Sequence, residues 1–409
     1  MMHALKREQV KDDKLWEMIE RVIQLTDGEY SRYDAHASTL VQLMDRILIR
    51  AKENKEWSVY FYALAQYLWF TRRRAVKDTQ KRLQLSEMFH RDCMRYQDEE
   101  IGAFGREWQT NTAAEILRFY LDFPQIDDAK MEQMLGIFQD YVQRYGRSWN
   151  YGDYNEVMWM ALTNQDRQLA ETARKKMAKA DFWYRCYACY YGRPMIGYYV
   201  LHEDIEGIEE IIARICGRML PEKHQWFYAT CENCQEIELV STALECCLKY
   251  GRNDELFRQI FAKWKAFYQD PEPGEIKDAY RVLFHALAGD WSRGEEYLCL
   301  AETNDREARE KREAPLDSLY WALCWHCYFR ILDRNGVKTV RIRLGGIEDK
   351  FAKDKEKQEK ENLPERLCLD VAEYFERQAD ELGAQMDRAR KRFDYARVKR
   401  THEACFLNT

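Results

Sequence analysis

The chain has 409 residues, with 64 basic and 70 acidic side chains, a formal net charge of −6, and 46% hydrophobic and 14% aromatic residues. Near-neutrality argues against a general nucleic-acid binder, and the apolar content argues against disorder, because there is ample surface to set against the entropy of folding. Only 18 glycines and 7 prolines punctuate the chain, too few for the turns of an all-β sandwich or the loops at both ends of every helix in an α/β fold.

The segment 1–14 is polar and lacks the apolar core of a secretion signal. From there the helical period is continuous. Leu15, Ile19, Val22, Ile23 and Leu25 share one face of a first predicted helix. Leu40, Leu43, Met44, Ile47 and Leu48 form the stripe of a second. Residues 57–70 predict a third helix too apolar to be exposed, followed by Arg72, Arg73 and Arg74 at the negative end of its dipole. Residues 82–96 predict a fourth. No run of apolar residues is long enough to span a membrane.

Further along, short polar or glycine turns recur. They lie at Asn164-Gln165-Asp166, Glu203-Asp204, Gly251-Arg252-Asn253-Asp254, Gly289-Asp290 and Asp333-Arg334-Asn335-Gly336. A quasi-period of about 40 residues with a helix on each side indicates stacked helical hairpins. Glycine in the left-handed conformation ends one helix, and Asp or Asn caps the next.

Trp321-x2-Cys324-Trp325-x2-Tyr328, followed by Asp333, resembles the first helix and turn of a tetratricopeptide-type repeat. Tyr154, Val157, Met158, Ala161, Asp166 and Ala170 fall at the same spacing, and Gly289-Asp290 with Gly294 resembles the turn and the small residue after it. The likeness covers roughly residues 30–340, in the manner of a degenerate bacterial helical repeat protein. Trp325 and Met158 stand where the family has a small residue, and the repeat exceeds the usual length of about 34. The resemblance implies an all-α fold, a right-handed α-solenoid of stacked hairpins that binds peptides or proteins on a concave surface.

The C-terminal part differs. Residues 337–344 alternate apolar and polar and end at Gly345-Gly346, which predicts one extended strap, lying on the solenoid or pairing with a partner. Residues 347–364 form a charged linker. Residues 365–399 carry Val371, Phe375, Leu382, Met386, Ala389 and Phe393 on one stripe, as a capping helix for the end of the stack, with a short tail to 409. The predicted organisation is an N-terminal helical region over 1–100, repeats over 101–336, the strap over 337–346, the linker, and the cap over 365–409.

Thirteen cysteines without a secretion signal point to a reducing cytoplasm, where cysteine acts as a small buried hydrophobe. Three Cys-x-x-Cys pairs occur, Cys186/Cys189, Cys231/Cys234 and Cys324/Cys327, at separations unlike those of zinc ribbons. Cys231 and Cys234 are the best metal candidates, because Glu232 and Asn233 make their surroundings more polar. Aromatic rings crowd residues 182–199. Trp183, Tyr184, Tyr187, Tyr190 and Tyr191, with Arg185 and Arg193 among them, read either as packing between repeats or as a recognition groove for an acidic ligand. Trp149, Tyr151, Tyr154 and Trp159 form a second candidate in the preceding unit. Residues 388–400 carry seven basic side chains against Asp394, a pattern that suits phosphates or a helix end.

No phosphate-binding glycine loop, zinc-protease helix or nucleophile elbow is present. His285 and His326 lie in apolar stripes, as core residues. The expected function is a non-catalytic cytoplasmic scaffold for a protein or peptide, with no cofactor, membrane or nucleic-acid partner and with Trp183, Tyr184, Arg185, Tyr187, Tyr190, Tyr191, Arg193, Tyr154 and Trp159 as its ligand-binding residues. The alternatives are a peptide-sensing regulator that controls a partner protein, and a zinc- or thiol-dependent protein using the cysteine pairs.

Overall fold

A computed structural model describes residues 5–26, 36–71, 79–93, 95–96, 117, 126–145, 151–178, 191–216, 235–251, 254–268, 278–310, 314–345 and 363–407. Several sequence-derived candidates lie outside the described residues: Arg72–Arg74, Trp149, the aromatic run with Trp183, Tyr184, Arg185, Tyr187 and Tyr190, the cysteines at 186, 189, 231 and 234, and the charged linker up to residue 362. The chain is mostly helical and divides into two compact units, residues 1–119 with 131–147, and residues 120–130 with 148–409.

In the first unit, α1 (Asp13–Thr26), α2 (Ala37–Glu53), α3 (Trp57–Phe70) and α4 (Thr79–Cys93) pack in series, each on the next. The expected stripes are the buried ones: Leu15, Ile19, Val22 and Leu25 on α1, and Leu40, Met44, Ile47 and Leu48 on α2. Val59 through Ala65, with Tyr67, Leu68 and Phe70, are all buried on α3, as a helix apolar all round requires. Polar groups close this core locally. The Glu56 carboxylate accepts the backbone N–H groups of Lys11 and Asp12 at 2.9 and 3.1 Å. Asp12 accepts the Leu15 N–H and a two-pronged pair from Arg50 at 2.6 and 2.7 Å. That guanidinium holds the Asp12 carboxyl down to a pKa of about 2. Asp92 is fully buried and accepts from the Tyr60 hydroxyl and from Lys52 Nζ. The next helix, α5 (Asp128–Tyr145), spans the junction of the two units in sequence.

In the second unit, consecutive helices pair as hairpins: α6 (Tyr151–Thr163) with α7 (Arg167–Met177), α8 (Arg193–Leu201) with α9 (Ile205–Cys216), and α10 (Glu236–Tyr250) with α11 (Asp254–Phe267). The first helices of these hairpins, α6, α8 and α10, pack on one another. Then follow α12 (Ala279–Ala288), α13 (Gly294–Arg309) and the 20-residue α14 (Pro315–Arg334), with α12 packed on α14. Large rings mediate the junction between α11 and α12, where Phe284 lies 6.3 Å from Phe257 and 5.9 Å from Trp264 between ring centroids.

The turns form where the polar residues were noted. Asp166 accepts the Leu169 N–H and Asp204 the Gly207 N–H, each capping the helix that follows. Gly289 and Gly336 take the left-handed conformation at φ of 83° and 89°. Gly251 does not. Its φ is −67°, and glycine is required there because a Cβ would collide with the Cys247 carbonyl. The left-handed position in the two earlier hairpins is filled by Gln165 and Glu203 instead.

The extended segment pairs within the chain. Strand β1 (Thr339–Arg341) runs antiparallel to β2 (Glu365–Leu367), with Val340 opposite Arg366. Beyond the ladder Ile342 and Leu344 turn inward, and the Arg343 and Gly345 N–H groups donate to Glu302 and Asp305 of α13, at 2.7 and 3.1 Å. The segment is thus a strap lying on α13. The single helix expected over 365–399 is interrupted. Helix α15 (Cys368–Ala389) covers α14, the backbone becomes extended at Arg390, and α16 (Tyr395–Leu407) turns back onto α10, α11 and α14. Among the described residues no helix is long and apolar enough to cross a membrane.

Replacing Tyr60 with Phe leaves the buried Asp92 carboxylate without its phenolic donor. The expected cost is about 1–3 kcal/mol, read as a lower urea midpoint for the first unit, and an unchanged midpoint would show that this hydrogen bond does not support the core.

Candidate functional site

Helix α10 carries Glu238, Ser241, Thr242, Glu245 and Lys249 at intervals of three to four residues, so they share one face. The opposite face, with Leu239, Ala243, Leu244, Cys246 and Cys247, is buried against other helices. The polar stripe is also enclosed: Ser241 is 5% and Thr242 8% exposed. It faces the start of α12, where Asp278 caps the helix by accepting the Tyr280 N–H at 2.9 Å. Arg193, at the first position of α8, completes the ring. Together these residues other than Lys249, with Tyr280, Arg281 and Phe284, line a cleft with about 340 Å³ of empty space, part of it open to solvent.

Most polar groups in the cleft are already engaged. Ser241 Oγ donates to the Ile237 carbonyl at 2.7 Å and accepts from Trp264 Nε1 at 2.9 Å. Thr242 Oγ1 donates to the Glu238 carbonyl at 2.9 Å. Arg281 pairs with Glu238, and Lys249 with Glu245 one turn away. Lys249 Nζ also sits over the Tyr280 and Tyr320 rings, 5.0 and 5.2 Å from their centroids. Two buried atoms have no partner: the Tyr280 hydroxyl, on a residue 2% exposed, and Arg193 Nε. A buried polar atom without a partner is uncommon and calls for an explanation.

Helix α16 forms the back of the site. His402, fully buried, stacks on Tyr320 at 6.4 Å and lies 6.5 Å from the Tyr280 ring. Arg397 donates to the carbonyls of Gly251 and Lys249 at 2.9 and 3.2 Å, satisfying the C-terminal end of α10. Part of the basic stretch over 388–400 is therefore engaged within the chain. Arg390 is fully buried, Arg392 pairs with Asp166, and Lys399 pairs with Glu376 and Asp380.

The titrating groups follow from this enclosure. Burial, reinforced by the neighbouring Glu245 carboxylate, raises the Asp278 pKa to about 6. Burial raises the Tyr280 hydroxyl and takes Tyr320 to about 12, so both remain neutral donors. For Lys249, burial is the largest influence and opposes the charged form, but the charges of Glu245, Tyr250 and Asp317 and the Glu245 hydrogen bond together outweigh it, and the ammonium persists. Burial, with the nearby Arg397 and Lys249 charges, lowers His402 to about 4. The site offers hydrogen-bond donors and paired charges. Both lining hydroxyls of α10 donate into helix carbonyls, which leaves neither poised as a nucleophile.

Of the sequence-derived site residues, Arg193 lines the cleft. Tyr191 is half-buried just before it, Tyr154 is buried, and Trp159 is half-buried with its ring 6.2 Å from Tyr250; none of the three lines the cleft. Cys324 and Cys327 are fully buried in α14, and burial pushes the Cys324 thiol well up, as for a core residue. His285 and His326 are buried too, each with Nδ1 near one partner, the Tyr297 hydroxyl at 2.8 Å and the Ala372 carbonyl at 3.1 Å, and each with Nε2 lacking one. The ligating atoms of His326, Glu376 and Glu403 lie within 4.8 Å of one another, but the Lys399 ammonium is 2.7 Å from Glu376 and already balances that carboxylate.

Sequence reasoning missed Glu238, Ser241, Thr242, Glu245, Lys249, Asp278, Tyr280 and Arg281. The one available signal was a polar stripe on α10 opposite a solid apolar one, and such a stripe ordinarily reads as a solvated face. Comparison with protein-family models, curated proteins and solved structures gives no match for this chain.

The depressed His402 value sets a pH dependence. The unfolded chain binds a proton near pH 6.5 and the folded chain only near 4, so stability present above 6.5 is lost as pH falls towards 4. The loss reaches about 3 kcal/mol. Urea midpoints measured from pH 7 to 4 should fall, and His402→Gln should flatten that fall. An equal slope in the variant would contradict the assignment.

Proposed function

We propose that this chain is a non-catalytic binding protein, built as a right-handed stack of tetratricopeptide-like hairpins, that receives a polar group of a protein or peptide in the cleft between α8, α10 and α12. The observation that carries this reading is the Tyr280 hydroxyl, buried and without a hydrogen-bond partner, on a residue that lines the same cleft as Arg193, whose Nε also lacks a partner. A ligand acceptor reaching both would satisfy two donors that the fold leaves open. The repeat architecture is supported by the sequential hairpins, by the packing of α6, α8 and α10 on one another, and by the capped turns at Asp166 and Asp204. A binding role is supported further by the engagement of the α10 hydroxyls within their own helix, which leaves recognition rather than covalent chemistry to the cleft.

The test is a pull-down from the native host with the full chain and with an Arg193→Gln/Tyr280→Phe variant of unchanged circular dichroism. A protein retained by the wild type and lost, or weakened about a hundredfold, with the variant is expected from two buried hydrogen bonds. Equal retention by both would overturn the role of the cleft, and no retained protein would overturn the binding reading.

A further inference from the structure

The unfilled positions of the cleft differ in kind from the filled ones, and that difference selects a ligand class. Among the charged groups, Arg281 is matched by Glu238 and Lys249 by Glu245. Arg193 brings a further positive charge with a buried, unpartnered Nε–H. Tyr280 adds a neutral O–H, also buried and unpartnered. The pair therefore offers two N–H and O–H donors and one positive charge. Two oxygens sharing one negative charge match it, as in the pairing of a guanidinium with a carboxylate. A phosphate dianion would face Glu238, Glu245 and Asp278 with an additional negative charge, and an ammonium group would leave both donors unsatisfied.

We infer that the cleft between α8, α10 and α12 is a carboxylate-binding subsite, in which Arg193 and the Tyr280 hydroxyl hold the two oxygens of a peptide C-terminus or an acidic side chain. This rests on the binding role proposed above and names what is bound. The cleft holds about 340 Å³ of empty space, part of it open to solvent, which admits the carboxylate of a side chain or a terminus rather than a whole ligand.

Asp278 supplies an independent signature. It faces Glu245 and Lys249 from α10, Arg281 from its own helix and Cys324 from α14, and it shares the cleft with Arg193 of α8. An arriving carboxylate adds its negative charge to that of Glu245 and disfavours ionised Asp278 further. Binding then takes up a proton, and affinity rises as pH falls from 7 to 5. An arriving cation would reverse that sign.

The test uses the full chain and saturation-transfer NMR, with acetate as the bare carboxylate, ethylammonium as the bare cation and inorganic phosphate as a second anion. Acetate should bind saturably and weaken about tenfold in Arg193→Gln and in Tyr280→Phe. Arg193→Lys, which keeps the charge but loses the planar fork, should also weaken it. Acetate affinity should rise from pH 7 to 5, and Asp278→Asn, which still caps α12, should remove that dependence. Saturable ethylammonium or phosphate binding that responds to these substitutions where acetate does not would overturn the carboxylate assignment. So would acetate affinity equal in the wild type and in variants with unchanged circular dichroism. Acetyl-triglycine with a free C-terminus and acetyl-Gly-Glu-Gly amide separate the two sources. Competition with acetate by either supports the proposal, and competition by neither overturns it. The two readings fail separately: a pull-down partner that depends on the cleft but is not displaced by acetate overturns the carboxylate class alone, whereas acetate bound at the cleft with no retained protein overturns the scaffold role alone.

Discussion

The ammonium of Lys249 is the point on which the second unit depends. Taking an ammonium out of water costs several kcal/mol, and a single ion pair offsets this only with good geometry and further contacts. Lys249 has them from three helices. Glu245 pairs with it one turn earlier on α10, and the Tyr280 and Tyr320 rings of α12 and α14 present their faces. The stripe that leads to Lys249 is polar along its length, α12 meets α10 there through the Arg281–Glu238 ion pair, and a cleft remains between them.

The C-terminal segment completes this arrangement. A chain ending after α14 would leave one long helix face uncovered, which a stacked architecture has to cap. Helix α15 covers it, and the strap before it is tied down through Asp305, which is fully buried and accepts from Arg309, Tyr374 and the Gly345 N–H. Helix α16 then returns to the hairpin of α10 and α11, bringing His402 against Tyr280 and Arg397 onto the end of α10. Part of the positive charge of this segment is matched within the chain, Arg392 by Asp166 and Lys399 by Glu376 and Asp380, while Arg397 takes helix carbonyls.

Two buried polar centres differ in how far their hydrogen bonds are satisfied. In the first unit Asp92 is enclosed and accepts from Tyr60 and Lys52, so its lone pairs have donors. In the second unit Tyr280 is equally enclosed, yet its hydroxyl has no partner. Closed networks rigidify a core, whereas a buried polar group without a partner calls for an explanation. The same physics of desolvation acts at both places, and only the count of partners differs.

The elements were legible in the sequence wherever one face of a helix was apolar. Leu15 to Leu25, the uninterrupted 57–70 segment and the turns at Asp166 and Asp204 follow from local periodicity and capping, which depend on residues only a few positions apart. The alternation over 337–344 likewise predicted the strap, although not that its partner strand would be 365–367. The cleft was illegible for the opposite reason. Glu238, Glu245 and Asp278 look like ordinary solvated carboxylates until α12 is laid against α10, and Tyr280 looks like one aromatic among 26 tyrosines. Sequence determined which helix faces are apolar and where the capped turns fall, because those depend on local free energies, although not the break at Arg390. Tertiary structure alone decided which polar stripe is enclosed and which donors are left unfilled, because desolvation and hydrogen-bond partnership are properties of groups brought together from distant parts of the chain.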